Sequence, residues 1–215
     1  MILESIEASA LAIPFNVAFK HASAARASTQ ALWVEARARN GAAGFGEGCP
    51  REYVTAESLQ SARAFVSEHR HDWLGSVRDV GTLADWAGLH RGSIDADPAA
   101  WTAVELALLD LIGKAEKNSV ESLLGLPRIA GRFRYTAVLG DAAPRRFEAQ
   151  LSHYLKAGFH DFKIKLSGDG ARDLAKVRAL TASGVAARAV RADANNLWSD
   201  ADTAIGALRA LDFPF

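Results

Sequence analysis

The sequence predicts an α+β N-terminal region followed by parallel β/α units. Residues 31–39 alternate apolar and polar side chains and are followed by Asn40-Gly41, the favoured pair for a tight hairpin turn. Further along, an alternating segment at 161–166, an amphipathic helical segment and a short strand at 189–193 follow one another. The order β-α-β places its two strands side by side and parallel in one sheet.

Composition excludes several classes of protein. The 215 residues are 49% hydrophobic and 23% charged, which is typical of a soluble globular protein. The 25 basic and 25 acidic residues balance, so we expect neither a nucleic-acid partner nor a membrane-surface partner. The single cysteine, Cys49, excludes an internal disulfide. No signal-peptide pattern follows Met1 and no apolar run is long enough to span a membrane, so the expected location is cytoplasmic.

The first region, residues 1–96, is predicted to contain a three-stranded antiparallel meander and helices. Its strands fall at 2–13, at 31–39 and around 45–48. A polar stretch of small residues, 19–28, connects the first two strands and is predicted to be a loop. Long connections of this kind tend to be lids or binding loops, although a plain surface excursion is the alternative.

Helices are predicted to follow the meander. Thr55 is a plausible N-cap for the first of them. The apolar residues assigned to the core of the next helical stretch are Trp73, Leu83, Trp86 and Leu89. Asp97-Pro98 then begins a long apolar helix in the preferred way, with a capping carboxylate before proline, and residues 97–132 are predicted to connect the two halves.

Residues 133–215 are predicted to form three β/α units. The strands are expected at 134–139, 162–166 and 189–193, and Gly158 is expected to end the helix between the first two strands. A further helix starts at Ser199 or Asp200.

The central β-α-β unit carries the side chains that could act as a base or as a metal ligand. Lys163 and Lys165 alternate with apolar residues, so they lie on the same face of one strand, where each positive charge disfavours the ammonium form of the other. A lysine that becomes neutral can act as a base. Asp193 ends the next strand and Asn195 follows it, where a hard divalent cation could be held. Base and metal together are what removal of a proton next to a carboxylate requires.

Simpler interpretations of the same residues exist. A Lys-x-Lys strand is usually a solvated edge, and Asp-x-Asn is usually a turn. An enzyme in which Lys165 forms a Schiff base is another alternative, which borohydride trapping of a carbonyl substrate would support.

The combination Lys163-x-Lys165, helix, Asp193-x-Asn195 resembles the enolase superfamily, in its mandelate racemase/muconate lactonizing enzyme group. Residues 46–55, Gly-Glu-Gly-Cys-Pro-Arg-Glu-Tyr-Val-Thr, resemble the corresponding segment of dipeptide epimerases, and residues 103–115 resemble the helix that leads into the barrel of these enzymes. The resemblance covers essentially the whole chain. It implies an α+β N-terminal capping domain followed by an incomplete α/β barrel of the TIM type.

The resemblance also implies roles for individual residues. Lys165 would be the base, with Lys163 in support. Asp193 would be the first of three Mg²⁺ ligands, with Asn195 as a supporting group. Phe19 and Arg26, from the predicted loop at 19–28, would reach the substrate.

The implied activity is Mg²⁺-dependent abstraction of the α-proton of a carboxylate substrate. Epimerisation of a dipeptide is the first expectation, with muconate cycloisomerase or o-succinylbenzoate synthase chemistry as alternatives. The implied partners are a small-molecule carboxylate or dipeptide and, for a complete enzyme, further copies of the same chain.

A closed barrel of this type has eight β/α units, whereas three are predicted here. In the resembled family the second and third Mg²⁺ ligands and a second lysine lie on later strands. We therefore expect either a truncated N-terminal part or a chain whose other part is supplied separately, and in both cases a chain that is inactive by itself. The alternative of another class is a non-catalytic module, and affinity for magnesium separates the two because one carboxylate holds the ion weakly.

Overall fold

The computed structural model describes residues 1–21 and 24–213, with backbone only for residues 16–21, 24 and 25. The chain divides into two compact units, Met1–Ala130 and Gly131–Phe215. In the described part of the chain, no helix has the length and apolar character needed to cross a membrane.

The first unit contains five strands and six helices among the described residues. In chain order they are β1 (Leu3–Leu11), β2 (Pro14–His21), β3 (Ala24–Ser28), β4 (Ala31–Ala38), β5 (Ala43–Gly48), α1 (Glu52–Thr55), α2 (Leu59–Ser76), α3 (Val80–Leu89), α4 (Arg91–Ala96), α5 (Pro98–Glu116) and α6 (Val120–Leu123). Strands β1, β4 and β5 form an antiparallel sheet in that order, which confirms the predicted meander.

The prediction that residues 19–28 form a loop is wrong. Strands β2 and β3 form an antiparallel hairpin, in which Phe19 pairs with Arg26 and His21 with Ala24. Pro14 begins β2, at a strand's first residue where its missing N–H is tolerated. The alanine-rich and serine-rich sequence lacks the alternation that indicates a strand, and the pairing of the two segments satisfies their backbone groups instead.

Helix α2 begins three residues later than the predicted cap implies. Ser58 is its N-cap, and Ser58 and Ser61 each accept a hydrogen bond from the backbone N–H of the other. Thr55 is the last residue of α1. A reciprocal capping box satisfies two N–H groups at once, which a lone threonine could not do.

Helix α5 is capped by a residue distant in sequence. The side chain of Asp97 makes no capping hydrogen bond. The buried Glu57 carboxylate instead accepts from the backbone N–H groups of Ala99, at 2.8 Å, and Ala100, at 3.1 Å. A carboxylate at this position satisfies N–H groups that have no partner within the helix and complements the helix dipole.

Helix α5 is a central element of the first unit's core, so the segment predicted to connect the two halves belongs largely to this unit. The predicted apolar character of this helix agrees with the burial of these residues on one side of it: Trp101, Val104, Leu108, Leu111 and Ile112. A Cβ on Gly46 would lie 2.0 Å from the carbonyl oxygen of Ala103, so β5 can rest directly on α5 only with glycine there. Trp73, Leu83 and Trp86 are buried as predicted, whereas Leu89 is 83% exposed at the end of α3, so its core assignment is wrong.

The second unit consists of three parallel β/α repeats. Its elements are β6 (Thr136–Leu139), α7 (Pro144–Lys156), β7 (Asp161–Lys165), α8 (Gly170–Ala182), a single 3₁₀ turn (Ala187–Ala189), β8 (Val190–Asp193) and α9 (Ala201–Ala210). The strands pair in the order β6-β7-β8, and both pairings are parallel, as the sequence predicts. Gly158 follows α7 with a φ of +84°, a conformation that favours glycine.

The two faces of this sheet differ in character. One face is apolar and is buried together with side chains of the flanking helices: Ala137, Leu139, Phe162, Ile164 and Val190, with Phe147, Leu151, Val177 and Leu180. The other face carries the alternate residues of the same strands, among them Val138, Lys163, Lys165, Arg191 and Asp193. The charged residues singled out in the sequence therefore share one face of the sheet.

Candidate active site

Strand register brings the predicted base and the predicted metal ligand together. Lys165 and Asp193 are direct partners across β7 and β8. Both are the last residues of their strands. In parallel strands these ends meet at one edge of the sheet, which is where α/β enzymes gather their functional groups.

We call Lys163, Lys165 and Asp193 the Asp193 cluster. The Oδ2 atom of Asp193 lies 2.7 Å from Nζ of Lys163 and 2.8 Å from Nζ of Lys165. Lys165 also donates to the side-chain oxygen of Asn195 at 2.5 Å, and the backbone N–H of Asn195 donates to Oδ1 of Asp193 at 3.0 Å. One carboxylate oxygen is thus shared between two amines, and Asn195 braces both the carboxylate and Lys165.

The environment of Asp193 favours its charged form. Hydrogen bonds from Lys163 and then from Lys165 hold the pKa of the Asp193 carboxyl well below its usual range, against a smaller opposing effect of burial. With both lysines protonated, the cluster carries one more positive than negative charge. The Lys165 side chain is 14% exposed and that of Lys163 is 39% exposed, so Lys165 is the more shielded amine.

Asn195 and Asn196 follow β8 in the left-handed region, with φ of +48° and +61°. Asparagine tolerates this conformation better than most residues. The Asp-x-Asn segment is therefore a turn, as the simpler interpretation held, and the same turn aims the Asn195 side chain at Lys165.

A second charged cluster lies behind the end of β7, and sequence reasoning missed it. We call Lys176, Asp173 and Asp141 the Lys176 cluster. Nζ of Lys176 lies 2.8 Å from Oδ1 of Asp173, from Oδ1 of Asp141 and from the backbone carbonyl oxygen of Lys165. Lys176 and Asp173 are each 3% exposed. The buried lysine therefore fixes the backbone of the residue whose side chain enters the Asp193 cluster.

Asp173 secures the segment that follows Lys165. It accepts hydrogen bonds from the backbone N–H groups of Ser167 and Gly168 and from the Ser167 hydroxyl. Burial raises the pKa of Asp173, but the hydrogen bonds from Lys176 and Ser167 outweigh it and hold the pKa below its usual range. The signal that could have indicated this cluster is an Asp-x-x-Lys pair on the helix directly after the Lys-x-Lys strand.

The oxygen atoms at the strand edge suit a hard divalent cation. Asp193 and Asn195 offer carboxylate and amide oxygens, the ligand types that Mg²⁺ prefers. The two amines on Oδ2 of Asp193 mark this point as one where positive charge is stabilised. Among the described residues Asp193 belongs to no group of three closely spaced potential metal-binding side chains.

The residues predicted to reach a substrate from the first unit are Phe19 and Arg26. The side chain of Phe19 lies outside the described part of the structure. Arg26 contacts its own hairpin: its guanidinium carbon lies 5.9 Å from the ring centroid of Phe15, and its Nη2 lies 3.5 Å from the carbonyl oxygen of Ser28. A binding role for the two residues stays a prediction.

An open concavity lies on the charged face of the β6-β7-β8 sheet. It is lined mainly by Thr136, Val138, Lys163, Arg191, Asp193 and Asn195. Arg191 donates a hydrogen bond to the hydroxyl of Thr136 across its floor. Three of the predicted site residues of this unit, Lys163, Asp193 and Asn195, therefore border one shared space, whereas Lys165 reaches it through its contact with Asp193.

Comparison with known proteins identifies the relatives of this chain. It is 29% identical over 185 residues to the L-Lys-D/L-Arg epimerase of Methylococcus capsulatus, which covers 86% of this chain and 50% of that protein. It is 28% identical over 211 residues to the L-Ala-D/L-Glu epimerase of Bacillus subtilis, covering 96% of this chain and 56% of that protein. No protein-family model matches the chain.

A solved structure shares the fold. The dipeptide epimerase from Methylococcus capsulatus, complexed with Mg and the dipeptide L-Arg-D-Lys, superposes with a TM-score of 0.83 and 28% identity over 100% of this chain and 60% of that one. The chain spans about half the length of the curated relatives it matches. These findings confirm the resemblance to the mandelate racemase/muconate lactonizing enzyme group of the enolase superfamily. They also confirm the fold class, an α+β N-terminal part followed by a partial β/α barrel.

Proposed function

We propose that this chain supplies the proton-abstracting base and the first metal-binding carboxylate of a magnesium-dependent epimerase acting on the α-carbon of a dipeptide. The observation that carries the proposal is the 2.8 Å separation between Nζ of Lys165 and Oδ2 of Asp193 at the carboxyl ends of neighbouring parallel strands. This edge is where barrel enzymes place catalytic groups. The relatives that support the reaction type are epimerases of dipeptides.

Lys165 is the base in this proposal. Its amine is held in place by Asp193 and Asn195, and its backbone is held by Lys176. Such positioning lowers the cost of bringing base and substrate proton together. A Mg²⁺ ion, when bound, would be held by Asp193 and would stabilise the negative charge that develops on the substrate as the proton leaves.

Asp193 has two roles in this proposal, as a partner of the two lysines and as a metal ligand. In the structure its Oδ2 atom pairs with both Lys163 and Lys165. With Asp193 as a metal ligand, Lys163 and Lys165 would remain as neighbouring amines, and Lys165 is the more shielded of the two.

The substrate is proposed as a class. The relatives act on dipeptides with basic residues in one case and on an alanine-glutamate dipeptide in the other. What these substrates share is an α-proton beside a carbonyl carbon, which is the atom that a lysine base and a bound cation would act on. We therefore propose an L-dipeptide, without assigning its side chains.

A library of L,L-dipeptides incubated in D₂O with the protein that contains these residues, in the presence of Mg²⁺, tests the proposal. Each turnover at the α-carbon replaces hydrogen by deuterium, so a dipeptide that is a substrate gains one mass unit, and chiral chromatography identifies its epimer. We expect incorporation into a subset of dipeptides and its loss when EDTA removes the metal. Incorporation that persists in EDTA, or none with any dipeptide, would contradict the proposal.

A further inference from the structure

Three side chains with metal-binding potential converge in the first unit, in a region that the proposed function does not use. His69 and Asp72 lie one turn apart on α2, and His90 directly follows α3. One ligand atom from each lies within 4.8 Å of the other two. In the described part of the chain this is the one group of three histidine, cysteine or carboxylate side chains that approach so closely.

Aromatic rings hold the His69 imidazole in place. Its side chain is 9% exposed. The centroid of its ring lies 4.8 Å from that of Phe65, 5.2 Å from that of Trp86 and 5.5 Å from that of His90. A ring packed on several sides has few alternative orientations, so a ligand that binds here meets an imidazole already set in position.

Hydrogen bonding sets the tautomer of His90. Its Nδ1 lies 2.8 Å from the backbone carbonyl oxygen of Trp86. A carbonyl oxygen only accepts hydrogen bonds, so Nδ1 carries the hydrogen and Nε2 of the neutral ring keeps its lone pair. The ring also stacks on the indole of Trp86, with centroids 4.1 Å apart and planes 9° apart. Histidines that bind metals almost always donate their second N–H to a carbonyl or carboxylate in this way.

The spacing between His69 and Asp72 suits an ion between them better than a direct bond. Nδ1 of His69 and Oδ2 of Asp72 are 3.9 Å apart. This is too long for a hydrogen bond between nitrogen and oxygen. Two ligand atoms that are each about 2.1 Å from a tetrahedral ion lie about 3.4 Å apart, so these two atoms would have to approach by about half an ångström to bind the ion.

We propose that His69, Asp72 and His90 bind a divalent ion of the zinc type, which joins α2 to the end of α3. Two imidazoles and one carboxylate form a ligand set that suits Zn²⁺, whereas Mg²⁺ requires oxygen ligands. Three protein ligands leave a fourth tetrahedral position for water. The site is independent of the proposed catalytic function and takes a different class of metal from the one proposed for Asp193.

Zinc titration of the 215-residue chain, by competition with a chromophoric chelator, tests the proposal. The background is Cys49→Ser, which removes the exposed thiol as a competing ligand. Two variants, His90→Gln and Asp72→Asn, each remove one ligand and leave the buried His69 unsubstituted. The matched control is His71→Gln, which changes an exposed histidine on the same helix outside the group.

We expect one Zn²⁺ per chain, with affinity lowered at least about tenfold by His90→Gln and by Asp72→Asn and unchanged by His71→Gln. Zn²⁺ should also raise the melting temperature of the parent chain and of His71→Gln, but not that of the two ligand variants, because ligands stabilise the state that binds them. Co²⁺ in place of Zn²⁺ should give the visible absorption of a tetrahedral site. Absence of one-to-one binding, or binding that His90→Gln and Asp72→Asn leave intact, would overturn the proposal.

Discussion

The Asp193 cluster and the Lys176 cluster use the same chemical groups with opposite stoichiometry. In the Lys176 cluster one buried amine is shared by two carboxylates and a backbone carbonyl. In the Asp193 cluster one carboxylate oxygen is shared by two amines, and Lys163 and Asp193 line an open concavity. The two clusters meet at Lys165, whose carbonyl oxygen accepts from Lys176 and whose side chain pairs with Asp193.

This difference separates a structural role from a chemical one. A buried amine with every partner in place holds its surroundings rigidly, because removing either side leaves an uncompensated charge. An excess of amines over carboxylates in a concavity leaves positive charge that can change partners when a ligand or cation arrives. We infer that the Lys176 cluster maintains the shape of the strand end and that the Asp193 cluster carries the reactivity.

Methionine substitutions at Lys176 and Lys165 should give the largest difference between the two clusters, measured as the loss in free energy of unfolding. Lys176→Met should lower the free energy of unfolding by about 3–5 kcal/mol, because it leaves the buried Asp173 without its charged partner. Lys165→Met should lower it by about 1 kcal/mol or less, because Asp193 keeps Lys163 and the backbone N–H of Asn195. Urea denaturation of the 215-residue chain measures both values. Equal losses would remove the distinction between the two clusters.

The magnesium affinity of the protein that contains these residues should depend on Asp193. Asp193→Asn should weaken Mg²⁺ binding at least about tenfold, because an amide is a poorer ligand than a carboxylate for a hard cation. Asp202→Asn, at an exposed position on α9, is the control and should bind like the parent. For the 215 residues taken alone we expect weak Mg²⁺ binding that Asp193→Asn barely changes, because one carboxylate holds the ion poorly. Calorimetric titration measures each case, and tight binding by these residues alone would mean that the ligand set is misassigned.

Asp173 and Asp193 should each titrate below the ordinary pKa of aspartate, which is about 3.9. Because the folded-state pKa values of Asp173 and Asp193 are lowered, the stability they contribute is present above that pH and is lost as the pH falls through the folded-state values. Carbon-13 NMR of the side-chain carboxyls follows each group.

A smaller effect distinguishes the clusters within the same experiment. Lys163→Ala should raise the pKa of Asp193 toward its ordinary value, because the hydrogen bond from Lys163 is the main cause of its lowering. The pKa of Asp173 should not move, since its partners are Lys176 and Ser167. An Asp193 signal that titrates near pH 3.9 in the unsubstituted chain would contradict the ion pairs described here.

The regular part of this fold and the main site residues are accessible from sequence because they depend on local periodicity. Alternation in 161–166 places Lys163 and Lys165 on one face, and the β-α-β order places Asp193 on the neighbouring strand. Lys165 and Asp193 lie opposite each other because each is the last residue of its strand.

Periodic sequence patterns do not indicate contacts between residues that are distant in sequence. Glu57 caps α5 from 42 or 43 residues away, where Asp97 had the expected local signature. Strands β2 and β3 are stabilised by pairing with each other, although neither alternates clearly. The partners of Lys176 come from three segments that only the folded sheet brings together, so its charge looked like that of an ordinary exposed helix residue.

Deuterium exchange by a Lys165→Met variant tests the central claim most directly. The protein that contains these residues is compared with Lys165→Met and with Lys156→Met, which changes an exposed lysine on α7, in D₂O with Mg²⁺ and a dipeptide found to be a substrate. If Lys165 is the base, Lys165→Met should slow α-deuterium incorporation by about 10²–10⁴-fold while the free energy of unfolding stays close to that of the parent. Lys156→Met should exchange at the parent rate. Exchange that continues unchanged in a folded Lys165→Met variant would contradict the assignment of Lys165 as the base.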